Sequence, residues 1–587
     1  MKTIIKSIFL FFTLLLFIFS PKVNAQEGKN LINYNQIKFL KTNKEFGKVT
    51  IIEPFDKNNA QFEIATITTP KFIYNSATLL PIYQEAVKKG RVFLLSFSAK
   101  TTISSLETGE AKVNILFKQS ASYKNNLIST QSISSKWQKY YVPFQTNINV
   151  DKNDLAIVLH YGFRPQAFQI KDIKFELFPE ETALAALPKT EITYKGMDTD
   201  AKWRKDALAR IDKIRKGDFE VQFVKDGKPI TNKNVKIALT KHSFPFGAAI
   251  RAIDVVENGE KYNHFKKAFD LAVFENDLKI KSLRWEKKKK DVIDAISILR
   301  NDNINIKGHV LIWPGFNYLT PEIKENRNNP EKVNQLIEEH VAGLLALTKD
   351  NISHWDVVNE AYTNTDLQKI TGSETILYNG FKTAKMLQPN AARFTNEYGI
   401  ISKGGLDTEK QEWYYNFIKR IDKNTNGLLD GIGIQSHIGS DLTPPEKVLE
   451  ILDYYATLDK KISISEFTMD IQEPKIREQY TRDFIIAAFS HKNVSEFLFW
   501  GYQIDERKKV DIYNEDFSLG AMGKAYFSLV DNLWKTEINE ETDKNGSICS
   551  NGFYGTYTYS FIENGKEKTG FFQLEKNKKN IIKIDVK

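Results

Sequence analysis

The chain has few of the residues on which metal, redox and disulfide chemistry depend. It contains one cysteine, Cys549, and eight histidines among 587 residues. A single cysteine excludes an intramolecular disulfide and a cysteine-rich metal site, and its position excludes a lipid-modified cysteine near the N-terminus. The fold must therefore be stabilised by its hydrophobic core alone.

Short motifs of phosphate, zinc and acyl-transfer chemistry are also absent. The sequence has no G-x-G-x-x-G or Walker A loop, no H-E-x-x-H pair and no G-x-S-x-G elbow. The net charge of +10 is mild for this length, and we expect no nucleic-acid partner. The lysine run at residues 287–290 is interpreted as a solvated helix face.

The first 25 residues contain the longest apolar run of the chain. Lys2 and Lys6 precede the run, which covers residues 8–19, and Val23, Asn24 and Ala25 offer a small-residue cleavage site. This pattern predicts a secretory signal peptide over residues 1–25 and export to the periplasm, the cell surface or the medium. No later run approaches the roughly 18 apolar residues of a membrane helix, so we expect no membrane span in the mature chain.

Hydrophobic periodicity divides the rest of the chain into four regions. Residues 26–178 alternate with period two and predict an antiparallel β-sandwich of the jelly-roll type. Residues 179–218 are a linker and an amphipathic helix. From 219 to 535 strands alternate with helices, which predicts an α/β fold, and residues 536–587 form a small C-terminal β appendage.

Eight candidate strands lie between 219 and 535, and eight is the number that closes a (β/α)₈ TIM barrel. The competing doubly wound open sheet usually has fewer strands and a glycine-rich phosphate turn. The candidate strands cover residues 246–250, 272–277, 304–313, 354–361, 392–398, 429–437, 462–469 and 496–502.

Polar residues stand at the ends of these otherwise apolar strands, where barrel enzymes carry their active sites. Glu360 and Glu466 are the two carboxylates among them, and a buried carboxylate is costly unless it is paired or hydrogen-bonded. A single such glutamate would be interpreted as solvated, but two together with amides, imidazoles and indoles favour a site. The other predicted site residues are Glu275, Asn276, Lys279, His309, Trp313, Asn359, Gln435, His437 and Trp500, with Asn396 and Tyr398 as further candidates.

Two carboxylic groups with aromatic platforms and amide donors suit the cleavage of a glycosidic bond. One carboxylic acid protonates the leaving oxygen, and the other group attacks the anomeric carbon or activates water. Asn359 and His437 could hydrogen-bond sugar hydroxyls, and Trp313 and Trp500 could stack on pyranose faces. This chemistry requires no cofactor and no metal.

Six motifs, in the right order, resemble those of glycoside hydrolase family 10, the retaining endo-β-1,4-xylanases. They are FENDLK, GHVLIW, WDVVNEA, GIGIQSH, ISEF and FWG, and the resemblance covers about 200 to 535. The segment KHSFPFGAAI and the C-terminal β tail also resemble plant-type members.

The resemblance implies a role for each matched residue. Glu360 is expected to be the acid/base and Glu466 the nucleophile, with Asn359 on the sugar 2-hydroxyl and His437 beside the nucleophile. It also implies glycone-side binding by Glu275, Asn276, Lys279, His309, Trp313, Gln435 and Trp500.

The sequence departs from the family pattern at three places. Pro314, Gly315 and Phe316 follow Trp313 where the family usually has His-Ser-Gln, and Thr468 stands where an aspartate is usual. A second tryptophan expected after Trp500 is replaced by the loop YQIDERKKV. These departures concern the binding cleft rather than the two glutamates, so another β-1,4-glycan or a decorated xylan remains an alternative substrate.

The N-terminal region resembles jelly-roll carbohydrate-binding modules in a general way only. Trp137, Tyr140, Tyr141, Tyr161 and Phe163 are candidates for stacking on sugars, although most are expected to be core aromatics. Such a domain could hold a structural calcium ion. We expect a monomer that acts on a xylan-like polysaccharide, and a non-catalytic carbohydrate-binding barrel is the rival hypothesis.

Overall fold

The computed structural model describes residues 28–32, 45–53, 60–82, 86–106, 109–119 and 125–586. The predicted signal peptide, residues 1–25, lies outside the described residues. None of the helices in these ranges is long and apolar enough to cross a membrane.

The N-terminal region is the antiparallel arrangement that the period-two pattern predicts. Its strands are β1 (Lys29–Asn30), β2 (Gly47–Ile52), β3 (Gln61–Thr66), β4 (Ala77–Pro81), β5 (Val92–Ser104), β6 (Ala111–Gln119), β7 (Asn125–Ile133), β8 (Gln138–Gln145), β9 (Leu155–His160) and β10 (Gln166–Leu177). One sheet has the order β2-β3-β10-β5-β8 with β1 beside β10, and the other has the order β4-β9-β6-β7.

Aromatic side chains fill the space between the two sheets. Phe93 stacks on Phe144 and on Phe175, each with 5.0 Å between ring centroids, and Phe117 of the second sheet packs on the latter two. Alternation along each strand places these rings on one face, and their burial is the main stabilising term of the sandwich.

Helix α1 (Lys202–Arg215) follows the sandwich and is anchored to the remainder of the chain. It buries Trp203 and Ile211 on one face, as its helical spacing predicts. Arg204 donates from Nη2 to Asp483 at 2.6 Å, and the Tyr194 hydroxyl donates to the same carboxylate at 2.8 Å. Three further strands come next, β11 (Lys216–Lys225), β12 (Lys228–Pro229) and β13 (Asn234–His242).

Eight parallel strands then close into a barrel, which confirms the predicted α/β fold class. The first barrel strand pairs with the last, with Phe246 opposite Phe497. The strands are β14 (Phe246–Ile250), β15 (Leu271–Phe274), β16 (Asn305–Ile312), β17 (His354–Asn359), β18 (Ala392–Glu397), β19 (Gly431–Ile438), β20 (Lys461–Met469) and β21 (Val494–Phe499).

Helices connect the barrel strands and cover them from outside. They are α2 (Ala252–Val256), α3 (Glu260–Ala268), α4 (Glu286–Asn301), α5 (Pro321–Glu325), α6 (Pro330–Thr348), α7 (Asp366–Thr371), α8 (Thr375–Leu387), α9 (Thr408–Asn424), α10 (Pro445–Ala456), α11 (Pro474–Phe489) and α12 (Ala521–Phe527). Several begin with a proline in the first turn and a side-chain cap, as Asn329 provides for α6.

A charged cluster occupies the barrel interior. Lys307 Nζ lies 3.2 Å from Asp356 and 3.3 Å from Glu496, and His354 lies 2.9 Å from Glu496. Burial alone would raise the pKa of both carboxyl groups. Lys307, His309 and His354 together outweigh burial at Asp356, and His354, Lys307 and Ser463 together outweigh it at Glu496, so both pKa values are lowered.

The C-terminal strands join two sheets with β11 and β13. They are β22 (Glu537–Glu541), β23 (Ser547–Phe553), β24 (Gly555–Glu563), β25 (Lys566–Leu574) and β26 (Ile581–Asp585). Among themselves, β24 pairs with β25. Strands β23 and β26 flank β11, while β22 and β24 flank β13. The sequence analysis starts the barrel at residue 219, whereas the structure gives residues 216–242 to the C-terminal β structure and starts the barrel at Phe246.

The sandwich packs on the mouth of the barrel. Glu110, 1% exposed, accepts hydrogen bonds from the backbone N–H groups of Ser440 at 2.8 Å and Asp441 at 2.5 Å. Lys112 pairs with Asp470 at 3.3 Å. The three barrel residues follow β19 and β20, so the sandwich is fixed to the loops at the carboxyl ends of two barrel strands.

Replacing Lys307 should destabilise the barrel strongly. Lys307→Met leaves Asp356 and Glu496 buried with one cation fewer, and breaking such a cluster costs about 3–5 kcal/mol. Urea unfolding followed by tryptophan fluorescence measures the loss. Lys289→Met is the matched control, because Lys289 pairs with Glu286 at the helix surface and should change stability by less than about 1 kcal/mol. Equal losses for the two variants would contradict this account.

Glu110 should make the stability of the sandwich–barrel contact depend on pH. Burial raises its pKa from 4.5 to about 8. The contribution of Glu110 is therefore complete below pH 4.5 and is lost as pH rises toward 8, at about 1.4 kcal/mol per pH unit. Thermal melting between pH 5 and 8 should show a flatter profile for Glu110→Gln than for the parent chain. Glu180→Gln, at an exposed salt bridge of the sandwich, should keep the parent profile; an unchanged profile for both variants would refute the prediction.

Candidate active site

Both predicted catalytic glutamates lie at one mouth of the barrel. Glu360 directly follows β17, Glu466 lies in β20, and they are 8% and 5% exposed. Their φ angles are 54° and 57°, in the left-handed region that residues other than glycine rarely adopt. Such a conformation costs on the order of 1–3 kcal/mol, so the surrounding structure must hold each glutamate in place.

A continuous chain of hydrogen bonds connects the two carboxylates. Gln435 Nε2 donates to Glu360 Oε1 and to Asn359 Oδ1, both at 3.2 Å. Asn396 Nδ2 donates to Asn359 Oδ1 at 3.0 Å and to Glu466 Oε1 at 2.7 Å. Four barrel strands contribute these residues, and the structure thus brings five of the predicted residues into one cluster.

Glu466 has further partners. His437 Nε2 lies 3.2 Å from Glu466 Oε2, and His437 Nδ1 lies 2.9 Å from Thr468 Oγ1. The Ser465 hydroxyl donates to Asn396 Oδ1 at 2.6 Å, which orients the amide nitrogen of Asn396 toward Glu466. The sequence analysis did not single out Ser465, although it lies in the ISEF motif, and it named Thr468 only as a departure.

Two amide atoms of this cluster have no partner among the described residues. Asn359 Nδ2 and Gln435 Oε1 are buried and make no hydrogen bond. A buried polar atom without a partner is costly. One donor and one acceptor are therefore available for a bound molecule between the two carboxylates.

Aromatic side chains border the cluster. Trp500 and His309 contact each other edge to face at 5.1 Å, and His309 Nδ1 lies 3.0 Å from Asp356 in the barrel interior. Trp313 stacks on Tyr318 with 3.6 Å between centroids, so a protein side chain covers one face of Trp313. Sequence reasoning did not single out Tyr318.

The residues after β15 form the next part of the mouth. Lys279 Nζ lies 4.8 Å from the Trp313 ring and donates to Asn276 Oδ1 at 2.9 Å. Glu275 accepts a hydrogen bond at 2.9 Å from Arg507 Nη1. Arg507 belongs to the loop that replaces the expected second tryptophan, so this departure places a guanidinium beside Glu275.

A buried ion pair supports the end of β18. Lys410 lies 3.0 Å from Glu397, and its ammonium packs on the ring of Tyr398. Burial raises the pKa of Glu397 although Lys410 opposes the shift. Burial also raises the pKa of Tyr398, with smaller contributions from Glu397, Glu360 and Tyr318, and the Tyr398 hydroxyl donates to Thr363 Oγ1 at 3.2 Å. Within the described ranges, no group of three or more histidine, cysteine or acidic side chains could hold a metal ion.

The fold and the site together define a class. Two glutamates in one hydrogen-bonded cluster at the carboxyl ends of barrel strands, bordered by indole rings, form the arrangement of a (β/α)₈ glycoside hydrolase.

Comparisons with known proteins refine that class. Residues 235–508 match the family model of glycosyl hydrolase family 10, and this segment is similar to members of that family. Endo-1,4-beta-xylanase 1 of Arabidopsis thaliana is 29% identical over 378 residues, which are 62% of this chain and 39% of that protein. The anti-sigma-I factor RsgI6 of Acetivibrio thermocellus is 26% identical over 397 residues, which are 65% of this chain and 50% of that protein. The chain therefore spans half or less of the length of these two relatives.

Solved structures also match part of the chain. The crystal structure of xylanase 10B from Thermotoga petrophila RKU-1 in complex with xylobiose is 20% identical with a TM-score of 0.44 and covers 50% of this chain and 95% of that chain.

Loss of Asn396 should impair glycoside hydrolysis without unfolding the barrel. Asn396→Ala removes the hydrogen bonds to Asn359 and Glu466, and loss of such an orienting partner typically lowers activity about 10–100-fold. Steady-state kcat/KM is the measurement, with circular dichroism as the folding control. Asn334→Ala, on the surface of α6, should retain parental kcat/KM. Parental activity of Asn396→Ala would show that the chain of hydrogen bonds is dispensable.

Proposed function

We propose that the chain is an exported, retaining endo-1,4-β-xylanase that cleaves xylan by double displacement, with Glu466 as nucleophile and Glu360 as acid/base. The observation that carries this proposal is the hydrogen-bond chain between Glu360 and Glu466 through Gln435, Asn359 and Asn396. It gives two carboxyl groups fixed positions at one barrel mouth.

In the first displacement, the Glu466 carboxylate attacks the anomeric carbon and forms a glycosyl ester. The bond to the leaving oxygen breaks as Glu360 gives that oxygen its proton. Two carboxyl groups in one site do not both ionise at low cost, so the ionised Glu466 favours the protonated form of Glu360 before attack. The hydrogen bond from Asn396 and the contact with His437 hold the Glu466 carboxyl group in position for attack.

In the second displacement, Glu360 acts as a base because the ester has removed the charge of Glu466. Glu360 takes a proton from water, the water oxygen bonds to the anomeric carbon, and Glu466 leaves as a carboxylate. Two inversions return the original anomeric configuration, which requires carboxyl groups about 5–5.5 Å apart.

The partnerless amide atoms support a sugar in this position. Asn359 Nδ2, buried and without a hydrogen bond, suits a sugar 2-hydroxyl, whose hydrogen bond strengthens in the transition state of such reactions. Gln435 Oε1 can accept from a neighbouring hydroxyl. Trp500, which contacts His309, directly follows barrel strand β21 at the same mouth, and pyranose C–H faces pack well on indole rings.

The proposal extends to the oligomeric state, the export and the N-terminal sandwich of the chain. We propose a monomer that binds a xylan-like polysaccharide, without a required cofactor, exported by the leader over residues 1–25. The sandwich is proposed as a carbohydrate-binding-like domain of a plant-type architecture. Tyr140 and Tyr161 are 2% and 0% exposed, which leaves Trp137 at 39% as the most accessible of its candidate stacking residues. A structural calcium ion in this domain remains a prediction.

Removing either glutamate should abolish activity on xylan. Release of reducing ends from xylan, mixed-linkage glucan and cellulose is measured for the parent, Glu360→Ala and Glu466→Ala, and anomeric configuration is followed by proton NMR. We expect xylan to be preferred, retention of configuration, and losses of about 10⁴-fold or more in both variants, since the two residues act as a unit.

Matched controls separate chemistry from folding. Glu322→Ala changes an exposed glutamate in α5 and should retain parental rates. Preference for mixed-linkage glucan or cellulose would show that the proposed substrate is wrong and would leave the proposed double displacement in place. Binding of xylan by the parent without hydrolysis would favour the non-catalytic carbohydrate-binding barrel.

A further inference from the structure

A cavity of about 340 Å³ lies beside the predicted glycone-side residues. Three of those residues form part of its wall, and the loops after β15 and β16 with one side of α6 complete it. The lining residues include Asn276, Lys279, Lys281, Trp313, Tyr318 and His340. Its size falls within the usual range for small-molecule sites, about 300–1,000 Å³.

Trp313 and Tyr318, which line the cavity, flank a segment in which this sequence departs from the family pattern. Pro314, Gly315 and Phe316 carry no polar side chain into the mouth, and the backbone N–H of Phe316 is fixed by Asp366 of α7 at 2.7 Å. Tyr318 of the same loop stacks on Trp313 and forms one wall.

The charge at this cavity is of one sign. Lys281 lines it, and burial followed by the charges of Lys324 and Arg284 lowers the Lys281 pKa. Lys281 Nζ donates to the backbone carbonyl of Asn317. In the described ranges, Lys281 forms no ion pair with a carboxylate, and no acidic residue lines the cavity. An anion bound in the cavity would therefore meet the positive charge of Lys281 without competition from a protein carboxylate.

Two ring nitrogens at the cavity also have no partner. Trp313 Nε1 and His340 Nε2 are buried and make no hydrogen bond within the described chain. Burial lowers the pKa of His340 to about 4, so this ring is neutral at ordinary pH. The indole offers a donor, and sugar hydroxyls can satisfy both a donor and an acceptor.

We propose that this cavity is a side pocket that binds a carboxylate-bearing sugar, a uronic acid, attached to the polysaccharide backbone. The inference deepens the proposed function and rests on it. Lys281, which has no carboxylate partner in the described chain, would attract the negative charge of a uronic acid. Neutral substituents such as an arabinosyl or acetyl group would gain no binding energy from that charge. Lys281 is the specificity-determining residue in this proposal.

The test compares three matched substrates at pH 6 and low salt. They are a xylo-oligosaccharide with one uronic acid branch, the same oligosaccharide with its carboxyl group reduced to an alcohol, and the unbranched chain. The parent should show a higher kcat/KM for the acidic than for the reduced substrate, by at least about fivefold, which corresponds to one partly exposed ion pair. High salt should diminish the ratio.

Substitutions at Lys281 test whether this residue causes the preference for the acidic substrate. Lys281→Gln should lower the ratio of acidic to reduced substrate about fivefold, and Lys281→Arg should preserve most of it. Lys290→Gln is the matched control, because Lys290 is an exposed lysine of α4 paired with Asp294, and it should keep the parental ratio.

Two outcomes would overturn the proposal. In the first, the parent chain hydrolyses all three substrates, and its kcat/KM for the acidic substrate equals that for the reduced substrate. In the second, the parent prefers the acidic substrate, and Lys281→Gln keeps the same preference. Failure to hydrolyse any of the three would instead refute the proposed function. Calorimetry of the acidic and reduced oligosaccharides with the catalytically inactive chain would then decide the pocket separately, and equal binding of both would refute it.

Discussion

The arrangement of the site depends on one constraint, that two buried carboxyl groups must be hydrogen-bonded where they stand. Glu360 and Glu466 are separated by more than a hundred residues and adopt left-handed backbone conformations. Parallel pairing of the neighbouring strands β17, β18, β19 and β20 brings Asn359, Asn396 and Gln435 to the space between the two glutamates. The strain at the two glutamates is thus offset by partners from adjacent strands.

The charged groups in the barrel interior below the site also depend on partners, because they too are buried. Lys307 is shared by Asp356 and Glu496, and Asp356 also contacts His309 at the mouth. Removing one member would leave another charge buried without compensation. The sandwich extends this polar support outward, because Glu110 binds the backbone just after the strand that carries His437. It is therefore a fixed neighbour of the mouth.

The positions of the barrel strands and of most site residues could be predicted from the sequence. The eight barrel strands are apolar runs that end in polar residues, so periodicity predicts their positions and the endings predict the site. Pairing partners could not be predicted, because β11 and β23 are joined across more than 300 residues and a strand pattern does not name its partner. Ser465, Arg507 and the cavity at Lys281 depend on how side chains pack, which no local pattern encodes. The match to glycosyl hydrolase family 10 covers residues 235–508, so the sandwich had no motif to guide its assignment.

The central claim is that Glu466 forms a covalent bond to the sugar. Incubation with an activated 2-deoxy-2-fluoro-xylobioside, followed by proteolysis and mass spectrometry, tests it directly. We predict that one fluoroxylobiosyl group is added to the peptide that contains Glu466, with loss of activity in parallel. Labelling at another residue, or turnover of natural substrate without any labelled intermediate, would contradict the mechanism.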